Sequence, residues 1–102
     1  MKIIFLCHGN ICRSVAAEYI FKMMIKKLKK EKEFIIFSRA TSLEEIGNDI
    51  YYPMKRTLSL HNVPFEHHFA KRITREEIDD SDLIFYFDEN NLRNLNILFP
   101  DI

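Results

Sequence analysis

The sequence predicts a three-layer α/β fold, in which a parallel sheet with strand order 2-1-3 carries helices on both faces. Three observations support this prediction. The strand-like segments are apolar throughout, which is typical of parallel strands buried on both sides, and they alternate with helical patterns along the chain. A turn with two cysteines, LCHGNICRS, follows the first strand. Because crossovers are right-handed, we expect this turn at the carboxyl edge of a sheet whose first strand is central.

The first strand and the first helix enclose that turn. Lys2–Leu6 (KIIFL) is a short apolar run and predicts strand 1. A helical pattern follows from about Ser14 to Lys30. Its apolar residues recur at helical spacing and predict one buried stripe, which consists of Ala16, Ala17, Ile20, Met24 and Leu28.

The middle of the chain repeats this order of strand and helix. Phe34–Ser38 (FIIFS) predicts strand 2, and residues 39–48 predict a loop. A second helix is expected from about Asp49 to His61. Pro53 falls in its first turn, where a proline is tolerated because the N–H that it lacks has no partner within the helix.

The last third of the chain predicts a third strand between two capped helices. Residues 66–71 are expected to be extended. Thr74 and Glu77 form the capping-box pattern of a short acidic helix. Leu83–Phe87 (LIFYF) predicts strand 3, and Asp88 is placed to cap a final helix. The residues of this final helix that we expect to face inward are Leu92, Leu95 and Leu98.

Strand 3 lies at an edge in the order 2-1-3, although its composition is that of an interior strand. A bare edge of large apolar residues pairs readily with another chain. We therefore expect either a fourth strand beside it, or self-association or exchange of elements between chains through Leu83, Ile84, Phe85, Tyr86 and Phe87. On this basis residues 1–102 are interpreted as a single domain that is incomplete at its C-terminus.

The composition narrows the classes of partner and compartment. The 102 residues carry 15 Lys plus Arg and 15 Asp plus Glu, and this zero net charge argues against a nucleic-acid partner. No apolar run approaches the roughly 20 residues that span a bilayer, and the N-terminus lacks the cleavage pattern of a signal peptide. We therefore expect a cytoplasmic protein with reduced thiols and no membrane partner.

The histidines do not predict a metal site. His61, His67 and His68 match no usual ligand spacing, and the two cysteines lack the close pairing of zinc sites. We expect neither a metal nor another cofactor.

The turn after strand 1, which we call the phosphate loop (Cys7–Arg13), has the residues needed to hold a phosphate against a thiolate. Cysteine thiols ordinarily have a pKa of about 8.5, but a helix N-terminus and a neighbouring cation favour the thiolate. Cys7 has both, because the helix begins near Arg13. Arg13 can also bind two phosphoryl oxygens and stabilise the charge of a transition state. Ser14 can donate a hydrogen bond to the Cys7 sulfur.

The backbone of the phosphate loop provides the second part of the predicted site. Its N–H groups can wrap around an anion as a nest. Gly9 and Asn10 are residue types that accept the left-handed conformation that such a wrap requires. The predicted phosphate-binding residues are His8, Gly9, Asn10, Ile11, Cys12 and Arg13, and the predicted catalytic residues are Cys7, Arg13 and Ser14.

Three segments resemble the low-molecular-weight protein tyrosine phosphatase family. The phosphate loop and Ser14 match the family's Cys-x-Gly-Asn-x-Cys-Arg-Ser. Ala40-Thr41-Ser42 with Glu45-Ile46-Gly47-Asn48 is similar to the loop after the family's second strand, and Phe87-Asp88-Glu89-Asn90-Asn91-Leu92 is similar to the loop after its third. The resemblance spans essentially all of the chain and implies hydrolysis of phosphotyrosine in proteins.

The resemblance also implies roles for residues of the phosphate loop. Cys7 is implied to be the nucleophile, which forms a phosphocysteine intermediate, and Arg13 the phosphate clamp. Asn10 and Ser14 are implied to stabilise the loop. Cys12 resembles the family's second loop cysteine, which can form a protective disulfide with the nucleophile under oxidation.

Other positions bear on the substrate and on the rim of the pocket. Ile11 favours phosphotyrosine, because family members that act on phosphoarginine tend to carry threonine there. Glu44 stands where many members carry an aromatic residue that walls the pocket, and His8 occupies a variable rim position. One of His67 and His68 resembles a family histidine that forms a hydrogen bond near the phosphate loop.

The family's general acid has no counterpart in the sequence. In the family an Asp-Pro pair beyond the equivalent of Asp101 supplies the aspartate that protonates the leaving phenolate, beside a fourth strand and a last helix. Here Asp101 is followed by isoleucine. Asp88 is a minor candidate, since its expected role is to cap a helix. General acid catalysis contributes about 10²–10⁴-fold, and we therefore expect impaired hydrolysis.

Two other functions stay open at this point. The first is a catalytically weak, truncated module that binds phosphate or sulfate. The second is thiol-linked arsenate reduction on a related fold, which needs further cysteines in the region of residues 80–95. The sequence has none there, so arsenate reduction is the less favoured of the two.

Overall fold

The computed structural model describes residues 1–102, which form three strands, four α-helices and one short 3-10 turn. In chain order the elements are β1 (Lys2–Cys7), α1 (Arg13–Lys27), the 3-10 turn (Glu31–Glu33), β2 (Ile35–Ala40), α2 (Tyr52–Leu60), α3 (Arg75–Asp80), β3 (Leu83–Tyr86) and α4 (Glu89–Leu98).

The strands form one parallel sheet with β1 in the centre. β1 pairs with β2 along its whole length, with Cys7 opposite Ala40. It pairs with β3 over a shorter stretch, which ends with Leu6 opposite Tyr86. The observed order β2-β1-β3 confirms the prediction. Because all three strands run in the same direction, their carboxyl ends meet at one edge of the sheet, and Cys7 lies at that edge.

Helices cover both faces of the sheet, as predicted. Successive residues of a strand point to opposite faces. Ile3 packs with Ile25 of α1 on one face, whereas Ile4 packs with Leu95 of α4 on the other. Leu58 of α2 belongs to a third apolar cluster, which it shares with α1. The sheet therefore lies between an α1/α2 layer and an α3/α4 layer.

The buried face of α1 agrees with the predicted stripe only at its start. Ala16 is buried and Ala17 is half-buried, but Ile20, Met24 and Leu28 are exposed, so the prediction was wrong for these three. The residues that α1 turns inward are Ser14, Val15, Ala16, Glu18 and Ile25. Two of these are polar and have hydrogen-bond partners inside the protein, which makes their burial tolerable. The spacing of apolar residues cannot predict a buried helix face that includes polar residues.

Two predicted boundaries in the first half move by two or three residues. α1 ends at Lys27 rather than Lys30. β2 continues to Ala40, into the predicted loop, because it follows β1 to its last residue. Residues 64–71, which include the segment expected to be extended, form no helix or strand, and Arg72 makes an isolated parallel bridge with Ala40.

α2 begins at Tyr52 rather than at Asp49. The carboxylate of Asp49 accepts hydrogen bonds from the N–H groups of Ile50 and His68 instead of capping the helix. Pro53 lies in the first turn, as predicted.

Both predicted caps of the last third are present. Thr74 and Glu77 form a capping box at the start of α3. Asp88 forms a second box with Asn91 at the start of α4. These side chains satisfy N–H groups that the helices themselves leave without partners.

The inward face of α4 was predicted only in part. Leu95 is buried and Leu98 is half-buried, but Leu92 is exposed. The buried residue at this point of the helix is Asn91, because its Oδ1 accepts hydrogen bonds from the N–H groups of Phe87 and Asp88.

β3 pairs only with β1, so its other edge is open. The side chains of Leu83, Phe85, Tyr86 and the adjoining Phe87 are all exposed, and Ile84 is half-buried. The expected apolar edge is present.

Candidate active site

The nucleophile candidate lies at the centre of the carboxyl edge of the sheet. Cys7 ends β1 and is almost fully buried. Its Sγ lies 3.0 Å from Ser14 Oγ, within hydrogen-bond distance. α1 begins at Arg13, and no side chain accepts a hydrogen bond at its start. The first-turn N–H groups, which carry the positive end of the helix dipole, are therefore free to face an anion beside the sulfur.

Asn10 fixes the shape of the phosphate loop from within. Its φ is 59° and its side chain is fully buried. Its Nδ2 donates to Ser14 Oγ at 3.0 Å and to Ser38 Oγ at 2.9 Å. The N–H of Lys71 donates to its Oδ1 at 3.1 Å. The amide thus joins the loop to α1, to β2 and to the segment before α3, and it leaves the hydroxyl hydrogen of Ser14 available to the Cys7 sulfur.

A buried carboxylate extends this network. Ser38 Oγ donates to Glu18 Oε1 at 2.6 Å, and Lys22 Nζ donates to Glu18 Oε2 at 2.5 Å. The sequence-based reasoning missed this contribution of Glu18 and Ser38. The available signal was the spacing of Ser14 and Glu18, which are four residues apart and share one helix face.

A histidine contacts the backbone of the phosphate loop. His68 Nε2 lies 2.6 Å from the carbonyl oxygen of Asn10, so His68, of the two candidates, contacts the phosphate loop. His67 instead pairs with Asp49 at 3.2 Å. Burial alone would raise the pKa of Asp49, but hydrogen bonds from Lys55 and from the N–H groups of His68 and Ile50 hold it well below its usual range. Asp49 therefore anchors the segment that carries His68.

Arg13 is held by the start of α4. Its Nη1 donates to Asp88 Oδ2 at 2.8 Å, and its guanidinium lies over the Phe87 ring at 5.7 Å. The hydrogen bond to Asp88 raises the pKa of Arg13. The same bond, together with the Asn91 N–H, lowers the pKa of Asp88. An acid must hold its proton until the leaving group needs it, so this contact does not favour Asp88 as a general acid.

Asp101, the other carboxylate weighed as an acid, is engaged elsewhere. It forms a two-point ion pair with Arg75 at the start of α3. The hydrogen bond from Arg75 lowers the pKa of Asp101. Neither carboxylate is thus kept protonated near neutral pH.

Cys12 stands just before α1 and is half-buried. Burial raises the pKa of its thiol, and the charge of Cys7 raises it further, whereas Arg13 acts in the opposite direction. Both cysteines are free thiols.

One side of the rim consists of the side chains of His8 and Glu44, which face each other. His8 Nε2 lies 3.0 Å from Glu44 Oε2. The neighbouring Glu45 lies close to Gly9: a Cβ at Gly9 would meet Glu45 Cγ at 3.2 Å. Glycine at position 9 therefore leaves room for the loop after β2, the 41–46 loop, to lie on the phosphate loop. The sequence placed His8 and Glu44 at the rim but did not pair them.

The other side of the rim lies beside Ile11. The N–H of Tyr51 donates to the Ile11 carbonyl oxygen at 2.7 Å. The side chains of Tyr51 and Tyr52 are exposed, so neither belongs to the core.

No group of three or more His, Cys, Asp and Glu side chains is arranged to hold a metal ion. None of the helices combines the length and the apolarity that crossing a membrane requires.

Comparison with known proteins identifies a consistent set of relatives. The family model described as low molecular weight phosphotyrosine protein phosphatase matches residues 2–101. The low molecular weight phosphotyrosine protein phosphatase of Pongo abelii is 39% identical over 95 residues, which is 93% of this chain. The chain spans about 60% of the length of that relative.

Solved structures show the same likeness in three dimensions. The low molecular weight protein tyrosine phosphatase from Streptococcus pyogenes superposes with a TM-score of 0.87 at 33% identity, and the match covers 95% of this chain and 63% of that one. YfkJ from Bacillus subtilis superposes with a TM-score of 0.92 at 28% identity, covering 98% and 63% of the two chains.

Proposed function

Because the chain belongs to the low molecular weight phosphotyrosine protein phosphatase family, we propose that it hydrolyses phosphotyrosine in proteins through a phosphocysteine intermediate on Cys7. One observation carries this proposal. A buried Cys7 sulfur, 3.0 Å from the Ser14 hydroxyl, lies at the end of β1 beside the uncapped start of α1 and the guanidinium-bearing Arg13. A thiolate, a helix N-terminus and a fixed cation are the parts that phosphoryl transfer to sulfur requires.

In the proposed first step, the Cys7 thiolate attacks phosphorus. An S–P bond forms while the bond between phosphorus and the tyrosine oxygen breaks, and the leaving oxygen takes a proton. Arg13 and the loop N–H groups stabilise the charge on the phosphoryl oxygens. In the second step, water attacks phosphorus, the S–P bond breaks, and phosphate leaves while Cys7 returns to the thiolate. Ser14 stabilises this thiolate by its hydrogen bond.

We infer that the chain of 102 residues performs the first step slowly. Asp88 and Asp101 both have lowered pKa values, in each case through a hydrogen bond to an arginine. The leaving oxygen would then take its proton from water. Loss of a general acid reduces rates by about 10²–10⁴-fold.

Burst kinetics with p-nitrophenyl phosphate test this proposal, because p-nitrophenolate is a good leaving group that departs without a proton, so that the missing general acid does not slow the first step with this substrate. We expect a burst of one phenolate per chain, which Cys7→Ser removes and the exposed Ser59→Ala on α2 retains. The absence of a burst from the unmodified chain would contradict the proposal. If phosphate or vanadate still bound under those conditions, the chain would be a phosphate-binding module instead. That second function is favoured by the absence of a protonated acid at the site.

We propose in addition that Cys12 protects Cys7. Oxidation by a peroxide would join the two thiols as a disulfide, with two electrons and two protons passing to the peroxide. Free thiols of this kind favour a cytoplasmic location. After peroxide treatment, dithiothreitol should restore the activity of the unmodified chain but not that of Cys12→Ser, in which Cys7 is open to irreversible oxidation. Equal recovery of both would refute the role of Cys12.

We also propose that two copies of this 102-residue chain associate along β3. The open edge presents unpaired backbone groups together with the exposed side chains of Leu83, Phe85 and Tyr86. These features favour pairing of edges. Sedimentation at increasing concentration should show a dimer, and a monomer at the highest concentration would overturn the proposal.

A further inference from the structure

The loop after β2 is fastened to the phosphate loop by its backbone. The N–H of Thr41 donates to the Cys7 carbonyl oxygen at 3.0 Å, and the N–H of Ser42 donates to the His8 carbonyl oxygen at 3.1 Å. The Ser42 hydroxyl donates to the same His8 oxygen at 2.9 Å. Three hydrogen bonds thus fix the start of the 41–46 loop against the phosphate loop, and Glu44 follows two residues later.

The carboxylate of Glu44 is consequently held at the mouth of the site. Its side chain is 69% exposed, and its one ion-pair partner is His8, at 3.0 Å. The other carboxylates near the loop are engaged differently: Glu45 accepts from Asn48 at 2.6 Å, and Asp88 accepts from Arg13. Glu44 is therefore the rim carboxylate with a solvent-facing side that an incoming substrate can meet.

We propose that Glu44 selects phosphotyrosine peptides with a lysine or arginine next to the phosphotyrosine. This inference rests on the proposed function, because it concerns the substrate of the same site. A peptide that places its phosphate in the loop must pass its neighbouring residues over the rim. There a cationic side chain gains an ion pair with Glu44, whereas an acidic one is repelled.

His8 limits this selectivity because it faces the same carboxylate. Its imidazole lies 3.0 Å from the Glu44 carboxylate, and a substrate cation must compete with it for that carboxylate. Removal of the His8 imidazole should therefore increase the preference for basic peptides, whereas removal of the Glu44 charge should abolish it. The two residues of one pair thus have opposite expected effects on the same preference.

Three peptides test the inference: one phosphotyrosine sequence flanked by lysine, by glutamine or by glutamate. Dissociation constants are measured by displacement of a fluorescent phosphopeptide from the Cys7→Ser chain, so that turnover is not needed. For an exposed ion pair we expect the lysine peptide to bind about threefold tighter than the glutamine peptide. Raising the salt to 0.5 M should remove most of this difference, since it shortens the Debye length.

Charge variants give the decisive comparison, each introduced beside Cys7→Ser. Glu44→Gln should equalise the three peptides, Glu44→Lys should reverse their order, and His8→Gln should widen the original difference. Glu31→Lys is the matched control, because it changes the net charge by the same amount as Glu44→Lys. Glu31 lies before the amino end of β2, whereas the phosphate loop lies at the carboxyl ends of the strands. It should leave the order and spacing of the peptides unchanged.

The outcomes separate the two proposals. If the peptides bind with equal affinity to the chain that carries only Cys7→Ser, or if Glu44→Lys does not reverse the order, Glu44 has no selecting role. If neither the peptides nor inorganic phosphate binds to the unmodified chain or to Cys7→Ser, the proposed function itself fails.

Discussion

The two sides of β1 are built in opposite ways. Towards β2, the chain buries four polar side chains that bind one another: Asn10, Ser14, Ser38 and Glu18 form one continuous set of hydrogen bonds. Towards β3, it leaves large apolar side chains in solvent along an open edge. The first side has a unique arrangement, because every donor needs its acceptor. The second has surface that almost any extended segment could cover.

Because of this difference, the shape of the site does not depend on whether another strand covers the open edge of β3. The phosphate loop depends on contacts with α1, with β2 and with the segment before α3, all of which are present. Its contacts with the β3 side are both made by Arg13, which pairs with Asp88 and lies over the Phe87 ring. Substitutions on the β2 side should therefore act strongly on stability and on the site, and substitutions on the β3 edge should act mainly on association.

The largest effect is expected from Asn10→Ala. The change removes three side-chain hydrogen bonds, leaves the partly buried N–H of Lys71 without its acceptor, and places alanine at a φ of 59°. We expect the free energy of unfolding, measured in urea, to fall by about 3 kcal/mol or more.

Asn62→Ala provides the matched control for that experiment. Asn62 has nearly the same φ, 58°, but lies exposed after α2. It should lose only the conformational part, about 1 kcal/mol. Equal losses for the two variants would show that the β2-side network contributes nothing.

A smaller effect, with a distinct pH dependence, is expected from Asp49→Asn. The pKa of Asp49 is lower in the folded chain than in the unfolded one. Its contribution to stability is therefore complete above the ordinary carboxyl pKa of about 3.9, and it is lost as the pH falls towards the folded-state value. At pH 6 the variant should be less stable by about 2 kcal/mol, and the difference should shrink between about pH 4 and pH 2.

Asp79→Asn is the control for the pH series. Asp79 is an exposed residue of α3, with Arg75 at 3.9 Å. It should change stability little at any pH. An Asp49→Asn curve that stayed parallel to that of the unmodified chain down to pH 2 would contradict the proposed anchoring role.

The smallest effect on stability is expected on the β3 edge. Tyr86→Lys replaces an exposed residue and should change the free energy of unfolding by no more than about 0.5 kcal/mol. A lysine on an edge strand opposes pairing with another edge, so the proposed dimer should dissociate in sedimentation. Tyr52→Lys, the same substitution at another exposed tyrosine away from the sheet, should leave association intact. A Tyr86→Lys chain as unstable as Asn10→Ala would remove the contrast between the two sides.

The sequence was sufficient for the features that depend on local pattern. Apolar strands, their alternation with helices and the composition of the phosphate loop predicted the sheet order and placed Cys7 at its carboxyl edge. The capping box at Thr74 and the cap at Asp88 were also predicted, because a capping residue lies within three positions of the N–H group that it binds.

The features that the sequence did not predict depend on partners far away in the sequence. Glu18 faces inward because Ser38, twenty residues later, donates to it. α2 starts late because Asp49 is bound by the N–H of His68. The pairing of His8 with Glu44 requires the fastening of the 41–46 loop to the phosphate loop. Helical spacing and capping patterns describe residues that are neighbours along the chain. The partners named above are not neighbours along the chain, so these patterns do not reveal them.

The bonds of Asn10 also determine when the site can form. Its side chain meets Ser38, 28 residues away, and Lys71, 61 residues away, and its carbonyl oxygen meets His68 at a separation of 58. Contacts of such long range require the closure of large loops, which makes them slow to form. The loop LCHGNICRS is synthesised before all three of these partners, but its final shape must wait until residue 71 has been synthesised and folded onto it. Anion binding by this loop therefore reports the folding of the first two thirds of the chain.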